Sequence, residues 1–273
     1  MKAFNFKKIA AMALSGMTLI SATACSGEDA QENEDQQQEN NTIVFGTSAD
    51  YAPFEFHTQI NGEDTIVGFD VELAKMIAED MGKELEIKDI SFDLLLNELQ
   101  NGTIDFVIAA MAATDERLEQ ADASDSYYTE DYQRVVFRAE DADKYTDFDC
   151  FEGAKVAVQS GSIQVGMAEE NLLGCELLIL QSAADMFNNL LNGKCDAVLV
   201  DGNVADGYVA GNEGLALLDK DFPSTEGSCV WVRKDDPKGI LDSINATIDK
   251  AQETEGLMAG WMADAEELSG TEE

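Results

Sequence analysis

Arg117 and Asp201 are the residues whose types and positions suit the capture of a small charged molecule. Each follows from one copy of a repeated motif: NGTIDFVIAA runs from Asn101 to Ala110 and NGKCDAVLVD from Asn192 to Asp201. The copies align without a gap as Asn-Gly-x-x-Asp and an apolar run, which reads as duplication of one supersecondary unit. In each, a helix-ending Asn-Gly precedes a buried strand. Asp201 occupies the position equivalent to Ala110, and the first copy continues through MAATDER to Arg117. Parallel strands of open α/β sheets place ligands at their carboxyl ends. One unit therefore offers a cation and the other an anion across a cleft, the complement of a zwitterion, and the planar fork of arginine suits a carboxylate. The plainer alternatives are a surface pair of Arg117 with Glu116, Glu119 or Asp122, and Asp201 as the N-cap of a helix from Asn203.

Further polar groups gather where loops leave buried strands. Ser48-Ala49-Asp50-Tyr51 follows the apolar run Thr42 to Thr47, and Ser160-Gly161-Ser162 lies between a strand and a helix, where free backbone N–H groups make an anion site. Tyr51 and Phe92 are aromatics able to stack on the apolar part of a ligand. His57 is the only histidine and has no triad or metal partner at readable spacing. P-loop, HExxH, GxSxG and CxxC motifs are absent, so neither a metal nor a cofactor is expected.

The elements that must hold these groups alternate along the chain. Helical spacing marks Asp70 to Met81, a Ser91-capped helix ending at Gly102, Ser162 to Leu173, a Ser182-capped helix to Leu191, and Pro237 to about Glu255. Between them lie strands at Leu85 and Ile87, Ile104 to Ala110, Gln133 to Arg138, Lys155 to Gln159, Glu176 to Gln181, Cys195 to Val200 and Cys229 to Val232. Asn61-Gly62 reads as a hairpin turn. The class is α/β in two lobes, the second a smaller copy of the first. The polar, acidic run Ala121 to Asp131 reads as a passage between lobes, with crossings near residues 129–132 and 224–228.

Length and charge agree with two lobes and an exported chain. At 273 residues the chain exceeds the usual single domain, and its net charge is −38. Three lysines and six acids precede Thr42, so the remainder still carries −35. That field excludes binding to a nucleic-acid backbone. The start of the chain carries Lys2, Lys7 and Lys8, the short apolar run Ile9 to Ile20 and small residues, the pattern of a cleaved leader. Ser21-Ala22-Thr23-Ala24-Cys25 resembles a lipobox with Ala22 where Leu is preferred, so lipidation of Cys25 and an ordinary cut after Ala24 both remain open. A polar stretch to Asn41 reads as a disordered tether. Cys150 and Cys175 each precede a strand, and export permits a bridge between them without requiring one.

Several segments in order resemble the polar amino-acid substrate-binding proteins of ABC importers, the family 3 solute-binding proteins. They are GTSADYAPFEF from Gly46, VGFDVELAKMIAEDMGKELEI from Val67, SFDLLLNELQNGTIDFVIAAMAATDER from Ser91, VAVQSGSIQ from Val156 and NGKCDAVLVDGNVA from Asn192. The resemblance implies two Rossmann-like lobes of the type II periplasmic-binding-protein fold joined by two crossovers. Lobe 1 would comprise residues 42–130 and 227–268 and lobe 2 residues 131–226, after a leader (1–24) and tether (25–41), with a tail at 269–273. It implies a monomer that binds a free amino acid and delivers it to a membrane permease, held to the membrane by lipid on Cys25. Arg117 would clamp the α-carboxylate with the N–H groups of Ala112 and of Ser162 or Ile163. Asp201 and the Ala110 carbonyl would hold the α-ammonium, Tyr51 and Phe92 would sandwich the side chain, and Ser48 with Asp50 would help choose it. Two departures stand out: Ala112 replaces a common hydroxyl residue, and Ser48 replaces the Asp frequent in binders of cationic side chains, for which Asp50 or Glu55 offers compensation. An exported arogenate or cyclohexadienyl dehydratase on the same fold, or a ligand-sensing module, is the alternative.

Overall fold

The computed structural model describes residues 41–129, 132–223 and 227–270. The leader, Cys25 and the tether up to residue 40 lie outside the described residues, as do 130–131 and 224–226 within the expected crossovers and 271–273 of the tail.

The chain begins with β1 (Thr42–Thr47), β2 (Asp50–Tyr51), β3 (Glu55–Ile60), β4 (Glu63–Val67), α1 (Phe69–Asp80), β5 (Glu84–Asp89), α2 (Leu95–Asn101), β6 (Phe106–Val107), α3 (Asp115–Gln120) and β7 (Ala121–Tyr128). It continues with β8 (Tyr132–Arg138), β9 (Lys155–Gln159), α4 (Ile163–Asn171), β10 (Glu176–Leu180), α5 (Ala183–Leu191), β11 (Ala197–Asp201), α6 (Gly202–Ala210) and β12 (Leu215–Pro223). Last come β13 (Ser228–Arg233), α7 (Leu241–Glu253) and α8 (Leu257–Ser269).

Two five-stranded sheets are built alike, β5-β1-β6-β13-β7 and β10-β9-β11-β8-β12. In each, three parallel strands are followed by one that runs against them and a fifth that pairs antiparallel with the fourth. The fourth strand of each sheet is the one the chain forms on arriving from the other, so β8 and β13 stitch the sheets together. This is the type II periplasmic-binding-protein arrangement. A small sheet, β2-β3-β4, carries the Asn61-Gly62 hairpin, with both turn residues at positive φ as such a two-residue turn requires.

The duplicated motif has one physical meaning in both sheets. Gly102 and Gly193 take left-handed conformations at the ends of α2 and α5, φ 75° and 67°. Four residues after the Asn, Asp105 accepts the Val44 N–H at 2.9 Å and donates its own N–H to the Val44 carbonyl at 2.8 Å. Asp196 does the same with Lys155, at 2.8 Å and 2.7 Å. This two-bond clamp locks the central parallel strand to its neighbour and fixes where the following strand ends.

Most expected elements are present, and α7 packs through Ile244, Ile248 and Ala251 against α1 and β7 of the first sheet. Three readings change. The polar run after Arg117 is not simply a passage, because residues 121–128 pair with β13 as a strand; that ladder satisfies the backbone while Asp125 and Ser126 face solvent. The strand expected from Ile104 to Ala110 pairs only at Phe106–Val107 and then turns away, with Ala110 at φ 47°. Finally, α3, β12 and α8 form where no element was expected.

Candidate functional site

Loops from both sheets meet in a cleft lined by Ser48, Tyr51, Glu55, Phe92, Ala109, Ala110, Ala112, Arg117, Gln159, Ser162, Ile163, Gln164, Asp201 and Ser228. It encloses about 500 Å³ of empty space when the solvent at its mouth is included. The lobes touch around it. Arg117 donates to the Gly161 carbonyl at 3.0 Å, Ser160 Oγ to Asp93 at 2.9 Å, and the Ala183 N–H to Asp50 at 2.8 Å. Tyr51 Oη donates to Asp201 at 2.6 Å.

Arg117 comes from the first turn of α3, where Thr114 accepts its backbone N–H as the N-cap. It is only 8% exposed, and both arms of its fork donate to carbonyl oxygens, Ala112 at 2.8 Å and Gly161, rather than to a carboxylate. Burial lowers its pKa to about 10. The surface pairing with Glu116, Glu119 or Asp122 is therefore not what holds it. A buried guanidinium bonded to neutral groups is an anion receptor, with Phe92 packed 5.4 Å from it.

The backbone around Arg117 is arranged for the same purpose. Ala112 and Ser228 face each other as an antiparallel pair bracketed by the bonds Ala113 N–H to Gly227 O (3.4 Å) and Cys229 N–H to Met111 O (3.1 Å). In such a pair the central residue turns its own N–H and C=O away from the partner strand, and Ala112 lines the cleft. Across the cleft, Ser162 is the N-cap of α4, makes no side-chain cap bond, and keeps a buried Oγ without a partner. The Ser162 N–H is spent on the Gln159 carbonyl at 3.2 Å, so the start of α4 offers the Ile163 N–H and the unpartnered Ser162 hydroxyl to the cleft.

Asp201 ends β11 and precedes α6, yet its side chain makes no cap bond to that helix. It is held in the cleft by Tyr51, by Gln133 and by Gln164 Nε2 at 3.4 Å, and Gln164 is itself fixed to Gln133 Oε1 at 2.7 Å. Burial pushes its pKa up, opposed by the bonds from Tyr51 and Gln133 and by the charge of Arg117. Gln133 and Gln164 were not singled out in the sequence; Gln164 closes the VAVQSGSIQ segment, the one signal that marks it. On the first lobe Ala110 lines the cleft in a left-handed conformation rarely adopted by a residue with a Cβ. Its N–H is held by Asp70 Oδ2 at 2.8 Å.

The remaining expected residues divide. Ser48 and Tyr51 line the cleft, although Tyr51 also spends its hydroxyl on Asp201. Asp50 does not line it and instead receives the first N–H of α5; burial raises its pKa to about 6. Glu55, noted only as a substitute for Asp at position 48, lines the cleft at 1% exposure with neither carboxylate oxygen reached by a donor. Cys150 and Cys175 precede neighbouring strands as expected but are free thiols, Cys150 Sγ lying 3.6 Å from Thr146 Oγ1. Among the described residues no group of His, Cys, Asp or Glu side chains is placed to hold a metal ion.

Comparison with known proteins gives consistent relatives. The chain is 31% identical over 262 residues to the arginine-binding extracellular protein ArtP of Bacillus subtilis, covering 93% of this chain and 98% of ArtP. Its structure is similar to the amino acid ABC transporter substrate-binding protein AbpA of Streptococcus pneumoniae bound to L-arginine, with TM-score 0.81 and 32% identity over 87% of this chain and 100% of AbpA. A further match is the ancestral amino acid-binding protein AncCDT-1, described as a precursor of cyclohexadienyl dehydratase, with TM-score 0.74 and 30% identity over 84% and 97% of the two chains. The family model for bacterial extracellular solute-binding proteins, family 3, matches residues 43–263. With its two lobes closed over a cleft that has a buried guanidinium on one side and a carboxylate on the other, this chain belongs to the bacterial extracellular solute-binding proteins of family 3, binding proteins rather than enzymes.

Proposed function

We propose that the protein is the extracytoplasmic receptor of an amino-acid ABC importer and that its ligand is a free amino acid with a cationic side chain, arginine foremost. The observation that carries this reading is the charge layout of the cleft: Arg117 with no carboxylate in its fork, Asp201 opposite, and Glu55 buried without a donor. Arg117, the Ala112 N–H, the Ile163 N–H and the Ser162 hydroxyl take the α-carboxylate. Asp201 and the Ala110 carbonyl take the α-ammonium. Phe92 and Tyr51 flank the side chain, Ser48 borders it, and Glu55 receives its positive end in place of the absent Asp at position 48. The arginine-binding relatives support the same ligand class.

Lobe 1 comprises residues 42–130 and 227–268 and lobe 2 residues 131–226 in this reading, and ligand contacts from both favour the closed form that a permease recognises. The protein acts as a monomer tethered by lipid on Cys25. Mass spectrometry of the membrane-bound form checks the anchor: an amino terminus at Cys25 carrying acyl chains is expected, and an unmodified mature terminus overturns it. The ligand is tested by thermal unfolding of refolded protein against a panel of free amino acids. At ~100 times the dissociation constant a ligand stabilises by about 2.7 kcal/mol, several degrees for a body of this size. Arginine is expected to give the largest shift. A response confined to neutral or acidic amino acids overturns the role of Glu55, and no response to any amino acid overturns the receptor.

A further inference from the structure

Behind the cleft, Glu55 meets a second buried acid. Asp70, the second residue of α1, is 0% exposed; its Oδ2 accepts the Ala110 N–H and the Tyr127 hydroxyl, each at 2.8 Å, while Oδ1 has no donor. The Asp70 N–H donates to the carbonyl of Phe54, the chain neighbour of Glu55, at 2.9 Å, which brings the two acids together, and each acts on the other's proton. Two carboxyls bond only through a proton, and two carboxylates side by side in a dry interior repel. The donors decide where the proton sits. Asp70, with two donors, is the better anion, and Glu55, with none, keeps the proton.

The surroundings reinforce this assignment. Around the pair, the charges of Asp50 from β2 and Asp201 from the end of β11 act on Glu55, and the Tyr127 phenol from β7 donates to Asp70. Arg117 from α3 is the cation lining the same cleft. Burial first, then the charge of Asp70, holds the Glu55 carboxyl well above the ordinary range, whereas Asp70 rises to about 6.

We propose that capture of a cationic amino acid drives the proton off Glu55, so that one proton leaves the protein for each ligand bound. This rests on the function proposed above. The proton passes from the Glu55 carboxyl to solvent, and the positive end of the ligand takes its place beside the Glu55–Asp70 pair, leaving the net charge of the site unchanged. No covalent bond forms or breaks apart from the O–H of that acid. An amino acid with a neutral side chain leaves the proton where it is. By linkage, affinity for the cationic ligand rises with pH, up to tenfold per pH unit where the empty protein is protonated and the complex is not.

Calorimetry of the full chain with L-arginine in phosphate and in Tris, buffers of different ionisation enthalpy, counts the protons. At about pH 8, Asp50 and Asp70, which titrate near 6, are ionised, and a released proton belongs to the Glu55 pair. Close to one proton is expected for arginine and close to none for L-citrulline, which keeps the α-groups and length of arginine but is neutral. Glu55→Gln is expected to abolish the release. Asp70→Asn is expected to reduce it, because removing the neighbouring anion lets Glu55 ionise in the empty protein; a merely structural role would not move the proton count. Arginine binding with no proton released, measured on the unaltered protein, overturns the proposal while leaving the ligand class standing. So does a release that persists in Glu55→Gln. Failure of arginine to bind while a neutral amino acid binds removes the ligand class itself, and the proton exchange with it.

Discussion

Replacing Arg117 by methionine separates what this residue does for the fold from what it does for the ligand. Methionine preserves the length and apolar stem but removes the fork. In the free protein the charge is held at a cost: the fall of its pKa from the ordinary guanidinium value to about 10 corresponds to about 3 kcal/mol of preference lost by the charged form. Against that stand its bonds to the Ala112 and Gly161 carbonyls, about 1.5–3 kcal/mol each for a charged donor. The terms largely offset, so Arg117→Met is expected to stay folded, with stability lowered by no more than about 3 kcal/mol. Binding has no such offset. Losing a buried charge-assisted contact to a carboxylate costs about 2–5 kcal/mol, which is about 30-fold to several thousand-fold in Kd. Thermal unfolding without ligand and isothermal calorimetry with arginine measure the two quantities separately. A Kd within about threefold of the unaltered protein, in a variant that folds, would refute the assignment of the α-carboxylate to Arg117.

Three other consequences follow from particular residues. Asp50, Glu55 and Asp70 all have pKa values raised chiefly by burial; such acids hold protons more tightly when folded, so their contribution is greatest below the ordinary carboxylate range and is lost as pH rises through the raised values. The melting temperature of the ligand-free protein is therefore expected to fall between about pH 4 and pH 6 and beyond, and Asp50→Asn to flatten part of that slope; a melting temperature that rises over this window counts against the buried acids. Gly161 sits at φ 76°, and a Cβ there would lie 3.0 Å from Asp93 Cβ across the lobes, so Gly161→Ala is expected to weaken arginine binding by calorimetry while leaving α4 and β9 intact by circular dichroism. Unchanged affinity would show that closure does not bring these backbones so near. Asp196→Ala removes the acceptor for the Lys155 N–H and is expected to lower stability to urea by about 1–3 kcal/mol with arginine affinity retained, whereas a larger loss of affinity than of stability would mean that the clamp reaches the cleft.

Much of the fold was written in local pattern. The spacing of Val71, Ala74, Ile77 and Ala78 gives α1 because those positions share one helical face, and all four are buried. Ser182 caps α5 as its type and place imply, accepting the Asp185 N–H at 3.1 Å. The Asn-Gly-x-x-Asp repeat foretold paired units because its glycine ends a helix and its aspartate clamps a neighbouring strand in both copies. By contrast, β7 has no apolar alternation to announce it. Ala121, Ser124 and Tyr127 are buried because distant segments cover them: β13, over a hundred residues later in the chain, lies alongside, and Tyr127 packs on Phe69 and bonds Asp70 of α1.

The sequence by itself determined the α/β class, the two charged poles Arg117 and Asp201, and the loops that present them, since each depends on residues near in the chain. Only the tertiary structure decided what those poles meet. It gave the Tyr51 hydroxyl to Asp201 while its ring lines the cleft, brought Gln133 and Gln164 to the same carboxylate, and set Asp50 against the start of α5. It also left Glu55 without a donor but against Asp70, fifteen residues away in sequence and on a different element. Hydrogen-bond partners and the dryness of a carboxyl's surroundings are set by what distant segments bring to it, and no spacing along the chain encodes them.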